Sequence, residues 1–223
     1  MTKKEKLKLF DNYNIYCITA EKYSRGRTNI QVVKDMLKAG VKIIQYREKY
    51  KSFKEKYEEC KKIRDLTKKK KAVFIINDHP DLCLMTGADG VHLGQDDYPV
   101  KEVRKILGAD FIIGVSTHSP QQYKKAVADE ADYAGVGPLF ETNTKDDVMP
   151  SVGLQYLKWV VKHKKIPFVA IGGIKEHNIN EVINSGAKCI CLVTEITAAD
   201  DIKEKIKNLQ LKFPDLFRGS NDI

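Results

Sequence analysis

The chain has 223 residues, 42% apolar and 31% charged, the proportions of a soluble globule with a sizeable core. No apolar run approaches the roughly 18 residues that span a bilayer, and "MTKKEKLKLF" has charge but no apolar stretch or small-residue cleavage site behind it, so no membrane partner and no secretory signal are expected, and the expected location is cytoplasmic. The formal charge of +9 sits largely in "KYEECKKIRDLTKKKK" and "VVKHKK", which look like solvated helix faces without interleaved aromatics or a finger, RNP or basic-zipper pattern, so no nucleic-acid partner is expected and small polyanions fit better.

In chain order, "IYCITA" is the first strand candidate. "TNIQVVKDMLKAG" follows as a helix, with Thr28 and Gln31 in capping-box relation and Gly40 placed to end it in the left-handed region. "VKIIQYRE" is the second strand. "SFKEKYEECKKIRDL" opens on Ser52 with Glu55 three residues on, and Phe53, Tyr57, Cys60, Ile63 and Leu66 form one apolar stripe. Then come "AVFIIND", "DGVHLG" and "FIIGVS", a helix start at "SPQQYKKAV" with Ser119 as cap and Pro120 at the first helical position, and the strands "DYAGVG", "PFVAIGG" and "KCICLVT". The joints "LKAGVK", "MTGADG" and "NSGAKC" repeat one device, a helix end with Gly just past it and a strand close behind. The strands are short and nearly continuously apolar, as parallel strands covered on both faces are. Eight such units predict a closed (β/α)₈ TIM barrel over 1–223 as a single domain, its core about 14–210. A Rossmann-like open sheet is the alternative, but no G-x-G-x-x-G follows the first strand.

In a barrel the carboxyl ends of the strands form the active face. In "QYREK", Gln45, Arg47 and Lys49 alternate at the end of strand two, which sets an amide, a guanidinium and an ammonium on one face. Strand three ends in Asn77 and Asp78, and "HLGQDD" places Asp96 and Asp97 beyond strand four. Neighbouring strands lie about 5 Å apart, so carboxylates at adjacent ends can share one cation, with water and phosphate completing an Mg²⁺ shell. Taken singly, Asp78 and Asp97 read as helix caps; taken with Arg47 and Lys49 facing them, the metal reading is favoured.

Strand five ends in Ser116, which suits an anion or a plain turn equally. The connection from Gly137 to Gly153 is longer than the usual βα loop and carries Thr142, Thr144 and Lys145, hydroxyls and an ammonium that could close over phosphate; a charged surface loop is the alternative. Gly172 and Gly173 end strand seven, and Val193 and Thr194 end strand eight, where this fold commonly cradles phosphate, although a Gly pair also makes a plain tight turn. His92, His118 and Cys83 are assigned structural rather than catalytic roles. The five cysteines are odd in number and form no CxxC, which argues against a disulfide framework or a zinc knuckle.

Taken together, "QYREK", "INDHPDLCLMTGADGVHLGQDD", "GVSTHS", "GPLFETNTK", "IGGI" and "LVTEI" resemble the thiamine phosphate synthase family over roughly residues 14–210. The resemblance implies a transferase that joins 4-amino-2-methyl-5-hydroxymethylpyrimidine diphosphate to 4-methyl-5-hydroxyethylthiazole phosphate, with Mg²⁺ as cofactor, giving thiamine phosphate and pyrophosphate. By motif, Gln45 would contact the pyrimidine side. Arg47, Lys49, Asn77, Ser116 and Lys145 would bind the diphosphate, and of these Arg47, Lys49, Ser116 and Lys145 would be catalytic. Asp78 and Asp97 would hold Mg²⁺, while Thr142, Thr144, Gly173, Val193 and Thr194 would receive the thiazole phosphate. Glu141 stands where many relatives have Pro, and Thr194 where Ser is also common. A thiazole tautomerase shares this barrel, but Gln45, Asn77, Asp78 and Pro138 favour the synthase. A barrel that only captures phosphorylated thiazoles is the remaining alternative, and the sequence sets no oligomeric state.

Overall fold

The structure is a computed structural model that describes residues 1–12, 14–142, 144 and 150–220. Eight strands, β1 (Asn14–Ile18), β2 (Ile43–Tyr46), β3 (Val73–Asn77), β4 (Gly90–Leu93), β5 (Ile112–Thr117), β6 (Tyr133–Val136), β7 (Phe168–Ala170) and β8 (Cys189–Leu192), pair in parallel and in sequence order. The ring closes where Tyr16 of β1 meets Cys191 of β8. This is the TIM barrel expected from the repeating pattern.

The helices are α1 (Lys3–Asp11), α2 (Asn29–Lys38), α3 (Phe53–Lys69), α4 (Pro80–Thr86), α5 (Val100–Leu107), α6 (Pro120–Ala128), α7 (Gly153–Lys162), α8 (Ile179–Asn184), α9 (Thr194–Thr197) and α10 (Ile202–Lys212). No helix among the described residues is long and apolar enough to cross a membrane. Thr28 with Gln31 and Ser52 with Glu55 form the expected capping boxes, and Ser119 accepts from the Gln122 N–H ahead of Pro120. Each of the three glycine joints closes the same way. Gly40, Gly87 and Gly186 sit at φ +89°, +65° and +97°, and the following N–H reaches back across the helix end, Val41 to Met36, Ala88 to Cys83 and Ala187 to Val182.

Because successive strand residues face opposite ways, the apolar runs serve two cores. Ile15, Cys17, Ile44, Phe74 and Ile76 point outward under the helices. Tyr16, Ile18, Ile43, Val73, Ile75, Ile112, Tyr133, Val169, Cys189 and Cys191 fill the lumen.

The N-terminal segment, considered only for the signal it lacks, folds as α1 behind a Thr2–Glu5 capping box. Leu9 and Phe10 of α1 belong to the lumen cluster and close the barrel floor. Two aspartates hold this plug. At the foot of β4, Asp89 accepts the Phe74 N–H and Arg64 of α3 and pairs with Lys6 at 2.7 Å. At the foot of β6, Asp132 likewise accepts the Ile113 N–H and Arg104 of α5 and pairs with Lys3 at 2.8 Å. At the other end of the chain, Leu216 and Phe217 follow α10 and are buried against the outer core.

Candidate active site at the barrel mouth

Strand β2 stops at Tyr46, so the expectation that Arg47 and Lys49 share a strand face with Gln45 is corrected. The reason is local: the Thr19 hydroxyl accepts the Arg47 N–H at 2.9 Å and donates to the Arg47 carbonyl at 3.3 Å, replacing a strand partner with a side-chain clamp. Gln45 alone stays in the strand, 2% exposed. Arg47 and Lys49 follow in the β2–α3 loop. Among the described residues neither the Arg47 guanidinium nor the Asn77 side-chain amide has a hydrogen-bond partner. Both are free to take a ligand.

Asn77 ends β3, and Asp78 follows in the left-handed region at φ +62°, its N–H bonded to the His92 carbonyl. The Asp78 carboxylate takes the Lys49 ammonium at 2.6 Å. Asp97, after β4, accepts the Gly94 N–H at 2.6 Å. The Asp78 and Asp97 carboxyls also hydrogen-bond one another, and their pKa values move apart. Burial works to raise Asp78, but the hydrogen bonds from Lys49 and Asp97 outweigh it and hold it below its usual value. Burial raises Asp97, and the Asp78 charge adds to that against the Gly94 donor. Two carboxyls close enough to share a proton are chemically suited to share a divalent cation instead. No group of three or more His, Cys, Asp or Glu gathers among the described residues. A cation here would therefore draw its remaining ligands from water and substrate oxygens, as Mg²⁺ does.

Ser116 lies near the end of β5 with its hydroxyl 2.9 Å from His92 Nε2, and Gln95 donates to its carbonyl at 2.6 Å. His92, set aside as structural, is engaged at both ring nitrogens, the other lying 2.8 Å from the Tyr133 hydroxyl. Thr142 and Thr144 turn towards each other, hydroxyl to hydroxyl at 3.1 Å. Lys145 lies outside the described residues. Gly172 and Gly173 have φ of +97° and +64°, and a Cβ on them would stand 2.3 Å from Pro138 Cα and 2.5 Å from the Glu141 carbonyl. Their first service is to let the loop after β7 pack against the loop after β6. Val193 precedes the short helix α9, and the Thr194 hydroxyl accepts from Lys175 at 2.7 Å.

Every site residue named from the sequence and described here therefore lies near the carboxyl end of a strand or in the connection that follows it, on one side of the closed ring. Sequence reasoning missed Lys175, a cation beside Thr194 whose only signal was its place just after "IGGI". It also missed Tyr16 and Tyr133, which read as core aromatics. Burial raises the pKa of both phenols, so both keep their protons.

A family model described as Thiamine monophosphate synthase matches residues 15–196, from β1 to α9. The thiamine-phosphate synthase of Caldicellulosiruptor saccharolyticus is 64% identical over 209 residues, 94% of this chain and 95% of that protein. That of Dictyoglomus thermophilum is 55% identical over 209 residues, 94% of each chain. A solved thiamine phosphate pyrophosphorylase from Pyrococcus furiosus superposes with a TM-score of 0.84 at 32% identity, covering 93% of this chain and 98% of that one. The polar mouth thus sits within a match that spans all eight strands, and the chain belongs to the thiamine monophosphate synthase family, as a transferase of thiamine biosynthesis.

Proposed function

We propose that this thiamine-phosphate synthase works by letting pyrophosphate depart from the pyrimidine before the thiazole nitrogen attacks. An aminopyrimidine pushes electron density towards its exocyclic methylene, so the carbon–oxygen bond can break first and leave a short-lived cation. Negative charge then gathers on the departing bridging oxygen. Groups fixed in advance towards that oxygen lower the barrier because they interact more strongly with the transition state than with the substrate.

Arg47, Asn77 and Ser116 are the donors assigned to the diphosphate, with Lys49 as a second cation and Lys145 assigned from sequence alone. Asp78 and Asp97 would hold Mg²⁺, which when bound supplies further positive charge for the phosphate oxygens. Gln45 faces the pyrimidine from within the lumen. Thr142, Thr144, Gly173, Val193 and Thr194 receive the thiazole phosphate and so aim the ring nitrogen at the cation. No protein nucleophile takes part. A cytoplasmic site of action accords with five buried cysteines, all free thiols.

The observation that carries this reading is that the Arg47 guanidinium and the Asn77 amide, at the ends of the neighbouring strands β2 and β3, have no hydrogen-bond partner among the described residues, while Lys49 meets Asp78 at 2.6 Å. A coupled pyrophosphate assay tests it. Release is expected with both substrates and Mg²⁺, and Arg47→Ala should lower kcat by about 10²-fold, the usual loss for one electrostatic donor. Near-normal turnover of the variant at saturating Mg²⁺ would overturn the assignment.

A further inference from the structure

Five side chains from five strands cross the lumen in one hydrogen-bonded line. Gln45 Nε2 donates to the Tyr16 hydroxyl at 2.7 Å, and the Tyr16 and Tyr133 hydroxyls are 3.1 Å apart. The Tyr133 hydroxyl is 2.8 Å from His92 Nδ1, and His92 Nε2 is 2.9 Å from the Ser116 hydroxyl. The two ends of the line, Gln45 and Ser116, are residues assigned above to the pyrimidine and the diphosphate. The three in the middle have no part in that assignment.

Counting protons gives the line a direction. An amide nitrogen only donates, each phenol has one proton, and a neutral imidazole has one. The Tyr16 oxygen already accepts from Gln45. Its own proton has the Tyr133 oxygen as its acceptor among the described residues, and in a buried site a proton without an acceptor is costly. The Tyr133 proton then goes to His92 Nδ1, which leaves the single ring proton on Nε2, donated to Ser116. The Ser116 proton is left over, the one hydroxyl proton in the line not spent on another of its members. The opposite polarity strands the Tyr16 proton and consumes the Ser116 proton on the imidazole.

Two glycines make room for this line. A Cβ on Gly114 would stand 2.1 Å from Tyr133 Cζ, and one on Gly135 would stand 3.2 Å from His92 Cε1. Both occupy ordinary strand positions in β5 and β6 rather than the left-handed region, so it is space that requires them.

We propose that His92, Tyr133 and Tyr16 are positioning residues that fix the polarity of this line, so that the Ser116 hydroxyl presents its proton to the departing diphosphate. The proposal rests on the placement of Ser116 against the diphosphate given above. It is tested with Tyr133→Phe, Ser116→Ala and the double variant in the pyrophosphate assay. Tyr133→Phe removes one oxygen and should lower kcat about tenfold, less than loss of the donor itself, with KM little changed. In the Ser116→Ala background the same substitution should cost nothing further, because it acts through Ser116. Equal costs in both backgrounds, or full activity of Tyr133→Phe beside a slow Ser116→Ala, overturns the positioning role alone. Full activity of Ser116→Ala overturns the placement of Ser116, and the positioning role with it. A measurement on the unaltered enzyme stands apart from any folding defect in the variants. Long-range ¹⁵N correlation spectra of the histidine rings, with His92→Gln for assignment, should place the His92 proton on Nε2. A proton on Nδ1 refutes the proposed polarity.

Discussion

Asp78 carries two demands at once, a left-handed backbone and a charged side chain, and they can be separated. Asn tolerates φ near +62° about as well as Asp, so Asp78→Asn keeps the turn and removes only the charge. The variant should need about tenfold or more Mg²⁺ for half-maximal rate, in the range seen when the support of a metal site is lost. An unchanged Mg²⁺ requirement would leave Asp78 a loop residue. Residues of this kind were legible in the sequence because a polar side chain that ends an apolar run has few local explanations. Tyr16, Tyr133 and the partners of His92 were not. A tyrosine inside an apolar strand reads as core, and which hydroxyl it meets depends on the register of strands far apart in the chain.

Among the elements, α1 shows how a segment without a strand of its own becomes part of the barrel. Its lysines reach Asp89 and Asp132, and both aspartates also take a strand N–H and an arginine from a neighbouring helix. Asp89 is 4% exposed, so removing it leaves the Phe74 N–H and part of the Arg64 charge without a partner. Asp89→Ala should lower unfolding free energy by about 3–5 kcal/mol in urea denaturation, whereas Lys6→Ala, losing one partly exposed pair, should cost about 1 kcal/mol or less. Equal losses would show that the pair, not the buried carboxylate, dominates. Caps and glycine joints were readable because they are local chemistry. The Thr2–Glu5 box that starts α1 has the same form as those at Thr28 and Ser52, but a short charged segment gives no sign that Leu9 and Phe10 will find a lumen to fill.

On the scale of the whole molecule, the count of eight strand–helix units set the architecture, while the seam that closes the ring was out of reach of local patterns. Arg27, in the first βα connection, fastens that seam. Its guanidinium donates to the carbonyls of Thr197 at 3.0 Å, Ala199 at 2.6 Å and Asp200 at 3.2 Å, and Nε donates to Ser24. Lysine cannot make this planar fan. Arg27→Lys should therefore cost about 2–3 kcal/mol of stability, the value of one or two charged hydrogen bonds. By loosening α9 it should also raise KM for the thiazole phosphate more than for the pyrimidine diphosphate, which initial-rate kinetics would show; equal effects on both would detach the seam from the thiazole side. Leu9 and Phe10, each 1% exposed, give the lumen a further property. A barrel packed with side chains and capped at its lower end is a blind alley: anything that enters at the mouth must leave by the mouth. If both phosphates bind at the mouth as proposed above, pyrophosphate and thiamine phosphate would share that one doorway with the next pair of reactants, and turnover would need it cleared before it could be filled again.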